Sequence, residues 1–427
     1  MKTKLFSLLF VLPMLVFCTP DNIEPNDGPD VEQQDTTQNS PVDTIQQETP
    51  QPDTDKPVTP TTPEITDGAL ILVTNPNVEK FLNEVKYNDH DYTYSKVLDY
   101  PGGHNKENPW DKDGNFEVVK SDKPMEYAIK WTADASKGKL KLELTEPDWT
   151  IEREIIAGAA EVLVTNLVPN VHYTYKVFSI ESGEVLTKGE FDTYGSIRQV
   201  YFKERVRNGR DLGGWKTYDG HIVRYRKIYR TGRWESSSMS AVGKRDMIAE
   251  GIKAQLDLRG TSDVLTEPTI EGCDFCAPVI ETGGPSMLTQ DQGDKTRQCM
   301  QFVMDCVKAD KPVVFHCSLG RDRTGTLAMI ILGVLGVVEG DISKEYEVSY
   351  FSPKGWGIAS SEDSPVYTNT RTVWAYKPAA EYIWDNFVAE GESFADGVEK
   401  YLLSIGISQA DIDTFRANML VDAPAAE

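Results

Sequence analysis

Residues 313–325 read VVFHCSLGRDRTG, and this stretch decides the fold of the C-terminal half of the chain. The apolar residues before Cys317 predict a buried strand, and the apolar residues after Thr324 predict a helix, which leaves a short polar loop between the two elements. Backbone N–H groups of such a loop, together with the positive end of the helix dipole, converge on one concavity. We therefore expect an anion site with a cysteine at its base, where the positive field favours the reactive thiolate.

The side chains of this loop have the chemistry of phosphate transfer. Cys317 is the expected nucleophile, and Arg323 offers a planar guanidinium that can bind two phosphate oxygens at once. Gly320 is expected to let the backbone approach the anion closely, and Thr324 to offer a hydroxyl to the thiolate or the departing phosphate. A buried structural cysteine is the alternative, but the surrounding residues all fit a phosphate pocket. The residues expected to bind phosphate are Ser318, Leu319, Gly320, Arg321, Asp322, Arg323 and Thr324.

Two upstream motifs accompany the loop. Residues 210–214 read RDLGG, and residues 256–259 read LDLR. The pairing of HCxxGxDRTG with RDLGG resembles the cysteine-dependent tyrosine phosphatases, specifically a bacterial branch of tyrosine and phosphoinositide phosphatases. The resemblance implies an α/β phosphatase domain over residues 196–427, with a central sheet flanked by helices. It also implies that the pocket is shaped by His316, Arg210, Asp211 and Arg230.

The resemblance further implies hydrolysis of phosphomonoesters through a phosphocysteine on Cys317. The substrate stays open between phosphotyrosine-like groups of phosphorylated proteins, inositol phosphates and phosphoinositides. No metal or other cofactor is expected, because the loop supplies the positive field itself. Two other classes remain as alternatives. One is a catalytically idle surface-binding lipoprotein, and the other is a rhodanese-like sulfur transferase, a family that lacks the RDLGG partner.

The acid that protonates the leaving oxygen is left open by the sequence. Asp322, inside the loop, is the first choice. Asp257 is the second, because it ends a predicted strand (residues 252–258) at the edge where ligand sites of parallel sheets gather; it could instead orient Arg323. Asp291 and Asp294 on the preceding segment are the third choice. The WPD tripeptide that carries this acid in other tyrosine phosphatases does not occur in the sequence.

Residues 203–233 form a basic segment in an otherwise acidic chain. The segment carries ten Lys and Arg residues against three acidic ones, whereas the formal net charge of the whole chain is -23. It predicts either a solvated surface or a rim for a polyanion, and Arg321 in the loop would add a further cation. The acidity of the whole chain argues against nucleic acid as a partner.

The N-terminal residues predict export. Residues 1–18 combine Lys2 and Lys4 with an apolar run that is too short to span a bilayer, which is typical of a secretory signal. Cys18 lies where bacterial lipoprotein signals place the acylated cysteine, so we expect a membrane anchor in the bacterial envelope, on the periplasmic or the surface face. Cleavage and secretion are the alternative. Residues 19–66 are rich in Pro, Thr and acidic side chains and predict a disordered linker.

Residues 67–195 predict an all-β sandwich domain. Alternating apolar residues at 139–144 and 171–178 indicate strands. Leu167, Pro169 and Tyr173 resemble the corner of fibronectin type III or immunoglobulin-like domains, where a tyrosine ties the corner to the backbone. This domain could bind a glycan or protein, serve as a spacer, or form a wall beside the active site.

The remaining cysteines predict core positions rather than chemistry. Cys273 and Cys276 are expected to be buried thiols, because a single CxxC with few histidines offers too few zinc ligands. Cys299 and Cys306 fall on the buried stripe of a helix predicted over residues 294–308. Further helices are predicted over residues 324–338, 342–351, 378–387 and 397–419, and Trp356 is a candidate wall of the substrate pocket.

Overall fold

A computed structural model describes residues 62–92, 95–97, 100, 123–202, 206–234, 241–352 and 375–423, which belong to one compact unit, Pro60–Glu427. The predicted signal, Cys18, almost all of the predicted linker and Trp356 lie outside the described residues. Among the helices of these ranges, none combines the length and apolar character that a membrane span needs.

The described residues before 196 form two sheets and a helix. The larger sheet has the order β1-β7-β6-β3-β4, in which β1 runs parallel to β7 and the other neighbours are antiparallel, while β2 pairs with β5. Strand β3 alternates between buried and part-exposed residues, as predicted. The elements are β1 (Ala69–Leu72), α1 (Pro76–Glu84), β2 (Tyr127–Lys130), β3 (Leu140–Glu146), β4 (Trp149–Ile155), β5 (Glu161–Val164), β6 (His172–Ser179) and β7 (Val185–Tyr194).

The predicted tyrosine corner is present in this region. The Tyr173 hydroxyl accepts a hydrogen bond of 2.9 Å from the Val168 N–H and is also bonded to the Glu146 carboxylate. The ring is fully buried against Phe191, with 5.2 Å between ring centroids. The resemblance of the whole region to fibronectin type III or immunoglobulin-like domains stays a prediction.

Helix α1 packs away from the sheets that surround it in sequence. Its buried residues Val78, Phe81 and Leu82 join the apolar core of the C-terminal region. The Phe81 ring lies 5.6 Å from the Phe351 ring. Part of the region predicted as a β-sandwich therefore completes the core of the other domain.

The described residues from 206 onward alternate strands and helices. They are β8 (Arg210–Asp211), β9 (His221–Val223), β10 (Ile228–Thr231), α2 (Ala241–Ala249), β11 (Ala254–Asp257), β12 (Asp274–Cys276), α3 (Pro285–Leu288), α4 (Gln290–Lys308), β13 (Val313–His316), α5 (Asp322–Val334), α6 (Glu339–Glu347), a 3-10 turn (Val348–Phe351), α7 (Tyr376–Phe387), α8 (Phe394–Ser404), α9 (Gln409–Met419) and β14 (Leu420–Asp422), which pairs with β9.

The central sheet has the order β12-β11-β13-β10-β8. Strands β12, β11, β13 and β10 are parallel, and only β8 runs antiparallel to its neighbour. His316 at the end of β13 is in register with Asp257 on one side and Thr231 on the other. The carboxyl ends of three neighbouring strands therefore meet at one edge, which is where ligand sites of such sheets lie.

Helices cover the sheet as the sequence predicted, with one correction. Every residue of α5 from Thr324 to Val334 is buried, as are Cys299 and Cys306 on α4. The single helix predicted over residues 397–419 is two helices, α8 and α9. The break lies at Gly406, whose φ is 91°, and Ser408 then caps α9 through a hydrogen bond from a backbone N–H.

Cys273 and Cys276 are free thiols, of which Cys276 is buried and Cys273 half-buried. Burial raises the pKa of both thiols. A raised pKa disfavours the reactive thiolate, which agrees with a structural role. The prediction that both thiols are buried holds for Cys276 but not for the half-buried Cys273.

Buried charges join the larger sheet of the N-terminal region to the central sheet. Arg226 is paired with Glu146 of β3, and it donates to Glu250 at 2.7 Å. Arg198 donates to Glu250 at 2.7 Å and to Asp211 at 3.2 Å. Arg226 and Glu250 precede β10 and β11, so this junction lies at the amino-terminal edge of the parallel strands. This sheet therefore does not form the predicted wall beside the active site. Asp211, which was predicted to shape the pocket, lies in this junction instead.

Candidate active site

The loop after β13 begins at the buried Cys317, whose exposed fraction is 3%. Gly320 has a φ of 68°, and a Cβ there would lie 2.5 Å from the carbonyl oxygen of Thr231. The glycine is thus required by a left-handed backbone and by contact with the end of β10. The structure thus gives two reasons for a glycine here. The predicted close approach to an anion stays a prediction.

Carbonyl oxygens of the loop are bonded from outside. The Gly320 carbonyl accepts from Arg230 at 2.6 Å and from Asn208 at 2.8 Å. Asn208 also donates to the Leu319 carbonyl at 3.2 Å, and the Arg233 N–H donates to the Ser318 carbonyl at 3.0 Å. In a trans peptide the C=O and N–H point in opposite directions. The N–H groups of these three peptide planes therefore face the inside of the loop.

Arg210 and Arg230 support the loop from beneath. Both are fully buried, and they share the Glu345 carboxylate, with N···O distances of 2.6 Å for each arginine. Burial, followed by the nearby Arg230 charge, lowers the pKa of Arg210 to about 10, against the pull of Glu345. Of these two predicted pocket-shaping residues, Arg230 bonds the backbone of the loop directly, whereas Arg210 bonds Asn208 and Glu345, which contact the loop and Arg230 respectively.

Several residues of the basic segment are paired with acidic side chains, whereas Arg233 is exposed and bonds the loop through its N–H. Arg210, Arg226 and Arg230 are buried in ion pairs, and Lys227 is paired with Asp310. Lys203 and Arg205 lie outside the described residues, while Arg224 and Lys216 are exposed. The paired residues were not recognisable from the sequence, because their acidic partners come from distant parts of the chain, and the rim stays a prediction for the exposed residues.

Arg323 lies across the loop. Its Nη1 donates to the Ile280 carbonyl at 3.0 Å, and its Nη2 lies 3.5 Å from the Ser318 hydroxyl. The neighbouring Thr324 hydroxyl is buried, and within the described parts of the chain it has no hydrogen-bond partner. An unpaired buried hydroxyl in the first turn of α5 agrees with the predicted bond to a thiolate or phosphate.

Asp322 is the first residue of α5, and its side chain is 28% exposed. Arg321 donates to its two carboxylate oxygens at 2.9 Å each, and Tyr346 donates at 3.1 Å. The Arg321 guanidinium is itself buried, 5.7 Å from the centre of the Tyr350 ring. Its charge is thus directed to Asp322 rather than to the second phosphate that the sequence suggested.

Asp257 faces Arg259 instead of Arg323. Its carboxylate accepts from the Arg259 side chain at 2.8 Å and from the Leu265 N–H at 2.9 Å. Burial alone would raise the pKa of Asp257, but the bonds from Arg259 and the nearby His316 outweigh it and lower that pKa. His316 itself is buried beneath the loop, with its Nε2 3.0 Å from Gln255.

Asp291 and Asp294, the third choice for the acid, both lie on α4. Asp291 is in the first turn of that helix, and the Asp294 side chain is 91% exposed and paired with Arg297 at 3.6 Å.

One carboxylate at the loop was missed by the sequence reasoning. Asp263 accepts a hydrogen bond of 2.7 Å from the Ser318 hydroxyl, and Arg233 lies 3.5 Å from the same oxygen. The available signal was its position, because Asp263 follows the carboxyl end of β11 by six residues. Two further residues were missed because no local sequence pattern marks them. They are Asn208, which bonds the loop, and Glu345, which bonds Arg210 and Arg230.

The sequence of this chain is similar to those of known tyrosine phosphatases. A family described as "Tyrosine phosphatase family" matches residues 203–421. A protein of Cupriavidus necator, provisionally named a tyrosine-protein phosphatase, is 26% identical over 166 residues, which are 34% of this chain and 60% of that protein. A tyrosine-protein phosphatase of Nostoc commune is 30% identical over 130 residues, which are 28% of this chain and 42% of that protein.

Solved structures of TpbA from P. aeruginosa are also similar. The complex of TpbA with pTyr is 12% identical, covers 44% of this chain and 91% of that chain, and has a TM-score of 0.27. The family match spans more than half of the sequence, so the chain belongs to the tyrosine phosphatase family, and its C-terminal region is an α/β phosphatase domain. The chain spans only 60% and 42% of the lengths of the two curated relatives.

Proposed function

We propose that the protein hydrolyses phosphomonoesters through a phosphocysteine on Cys317. The observation that carries the proposal is the loop itself, in which three carbonyl oxygens are bonded from outside so that their peptide N–H groups face inward. Such preorganised donors stabilise the equatorial oxygens of a transferring phosphoryl group. The family match supports this activity.

The proposed reaction has two displacements. In the first, the Cys317 sulfur forms a bond to phosphorus, the P–O ester bond breaks, and the leaving oxygen receives a proton from a carboxylic acid. In the second, water attacks phosphorus, its proton returns to the carboxylate, and the S–P bond breaks to release phosphate and the thiolate. Arg323 and the loop N–H groups bind the phosphoryl oxygens in both steps, and Ser318 to Thr324 line the phosphate site.

We assign the proton donor to Asp322. Its partly exposed carboxylate begins the helix that follows the loop, which supports the assignment. Asp257 is a weaker candidate, because its side chain is fully buried, whereas that of Asp322 is 28% exposed. Asp291 and Asp294 stay the third choice.

Phosphotyrosine in proteins is the substrate class that we propose, ahead of inositol phosphates and phosphoinositides. A polyphosphorylated substrate needs unpaired cations around the loop, whereas Arg210, Arg230 and Arg321 are buried in ion pairs. Acidic Asp263 at the loop would in addition repel a second phosphate. A panel of phosphotyrosine peptides and soluble phosphoinositides tests this, and a kcat/KM higher for the phosphoinositides would overturn it.

Turnover of p-nitrophenyl phosphate under reducing conditions tests the activity itself. We expect hydrolysis by the wild type and none by Cys317→Ser, because the hydroxyl is a poor nucleophile in this site. No turnover by the wild type would contradict the proposal and would favour an idle binding protein. Thiosulfate-to-cyanide sulfur transfer by the wild type would instead indicate the rhodanese-like alternative.

For location, we propose that the chain is exported and anchored to the bacterial envelope through a lipid on Cys18, with residues 19–66 as a disordered linker. The charged and apolar pattern of residues 1–18 supports this. Metabolic labelling with radioactive palmitate should mark the wild type and leave Cys18→Ser unlabelled. Equal labelling of both would overturn the anchor.

A further inference from the structure

Helix α6 is buried along most of its surface. It has nine residues, of which the buried ones include the glutamates Glu339, Glu345 and Glu347. A buried carboxylate is stable only where hydrogen-bond donors or cations meet it. The position of α6 is therefore determined by the groups that contact these three side chains.

On one side these groups belong to a strap, which we define as residues 87–92. The Tyr87 hydroxyl donates to Glu347 at 2.6 Å, and the Tyr92 hydroxyl is bonded to Glu339. Both tyrosines are buried. The strap lies outside residues 203–421, the part of the chain that matches the phosphatase family.

The strap crosses α6 at Gly340. The Gly340 N–H donates to Asp89 at 3.3 Å, and a Cβ on Gly340 would lie 2.1 Å from the carbonyl oxygen of Tyr87. No rotamer change can relieve a contact with backbone, so only glycine allows the strap to lie this close to the helix.

The other side of α6 faces the active site. Glu345 accepts from Arg210 and Arg230 at 2.6 Å each, and Arg230 donates to the Gly320 carbonyl of the loop at 2.6 Å. The next residue, Tyr346, donates to Asp322 at 3.1 Å. One short helix thus touches the strap on one side and the supports of the phosphate loop on the other.

We propose that the strap is a positioning element of the active site. It fixes the position of α6, and Glu345 on α6 in turn orients Arg230 toward the Gly320 carbonyl of the loop. The inference rests on the proposed function, since it takes the loop after Cys317 as the oxyanion site. A rigid helix transmits a displacement from one face to the other. If the strap is loosened, α6 shifts, and Glu345 and its partner Arg230 move away from the Gly320 carbonyl. Loop N–H groups then lose alignment, and both oxyanion affinity and kcat fall.

The test compares full-length Gly340→Ala with the wild type by titration calorimetry with tungstate, an unreactive oxyanion, and by turnover of p-nitrophenyl phosphate. We expect tungstate to bind the variant about tenfold more weakly, which corresponds to the partial loss of one strong hydrogen bond, with a fall in kcat. Gly293→Ala is the matched control, because a Cβ on that helical glycine would lie 3.6 Å from its nearest neighbour. The control should bind tungstate as the wild type does.

Tyr87→Phe is the second variant, and it is decisive if Gly340→Ala does not fold. It removes only the hydroxyl that donates to Glu347 and accepts from the Lys96 N–H. A weaker tungstate affinity with an intact near-UV circular dichroism spectrum supports the proposal. Lower thermal stability with unchanged tungstate affinity and kcat would overturn it, because the strap would then only stabilise the fold. A wild type that fails to bind tungstate would overturn the proposed function, and this inference with it.

Discussion

Ser318 is the residue through which a carboxylate outside the loop reaches the phosphate site. Its hydroxyl donates to Asp263 at 2.7 Å and lies 3.5 Å from the Arg323 guanidinium, so Asp263 sets the direction of a contact with the phosphate-binding arginine. We predict that Asp263→Asn lowers kcat/KM for p-nitrophenyl phosphate by about tenfold, the effect of weakening one charge-assisted hydrogen bond. Glu267→Gln, an exposed change four residues further along, is the control. Equal kcat/KM for the two variants would contradict a role for Asp263.

Glu339 gives a second prediction at this scale, on pH. Burial raises its pKa from 4.5 to about 7, against hydrogen bonds from Tyr92, the His90 N–H and Trp384, and the nearby Asp89 raises it further. The folded protein thus keeps this proton to a higher pH than the unfolded chain does. The stability that it contributes is complete below pH 4.5 and is lost as the pH rises through 7.

Replacing this carboxyl should flatten the pH dependence. The difference in free energy of unfolding between the wild type and Glu339→Gln should change by on the order of 3 kcal/mol from pH 4.5 to pH 8, because only the wild type loses stability as this carboxyl ionises. Urea titrations of both proteins across this range measure the difference. Parallel curves would show that the carboxyl titrates normally in the folded protein.

At the scale of elements, the turn from β13 into α5 is held by contact with the end of β10. We predict that Gly320→Ala abolishes measurable tungstate binding, because its Cβ would lie 2.5 Å from the Thr231 carbonyl and its φ is 68°. Gly220→Ala separates strain from contact, since Gly220 has a φ of 89° and nothing within 4 Å of the added Cβ. The control should lose about 1 kcal/mol of stability and keep its affinity. Loss of tungstate binding in both variants would contradict the importance of the contact.

Elements with a strong local pattern were predictable from the sequence. The strand before Cys317, helix α5 and the buried stripe of α4 follow apolar periodicity, and all three are present. The break between α8 and α9 was not predicted. The apolar residues on both sides fit one helical pattern, and Gly406 was taken as part of that helix. The close pairing of α6 with residues 87–92 was equally hidden, since the two segments are far apart in sequence.

At the scale of the whole molecule, five buried charges fasten the N-terminal sheet to the phosphatase domain. Glu250 accepts from Arg198 and Arg226 at 2.7 Å each, and these two arginines overcome the effect of burial and lower its pKa. We predict that Glu250→Gln lowers the free energy of unfolding by about 3 kcal/mol, because two buried guanidinium groups, those of Arg198 and Arg226, each lose one of their two carboxylate partners. Exposed Glu271→Gln should change it little.

The turnover of Glu250→Gln should stay near that of the wild type at 25 °C, because this junction lies at the edge of the central sheet opposite to Cys317. Urea titration followed by activity assay measures both quantities. A large loss of kcat in a fully folded variant would show that the junction is coupled to the active site.

This junction also shows why charge patterns in the sequence misled. Arg226 and Arg230 were expected on a basic surface, yet each is buried against glutamates that lie far away in the chain, Glu146 and Glu345. The nucleophile and the phosphate-binding arginine could be proposed from one loop, because they lie within six residues of each other. The residues that hold this loop could not, since they come from several separate elements.

The most direct test of the account is detection of phosphate on Cys317 during turnover. Full-length protein would be mixed with p-nitrophenyl phosphate, quenched rapidly in denaturant, digested and examined by mass spectrometry. We predict a phosphorylated peptide that contains Cys317, present in the wild type and missing from Cys317→Ser. Continued turnover with phosphate on no cysteine, or hydrolysis by Cys317→Ser at the wild-type rate, would contradict the account.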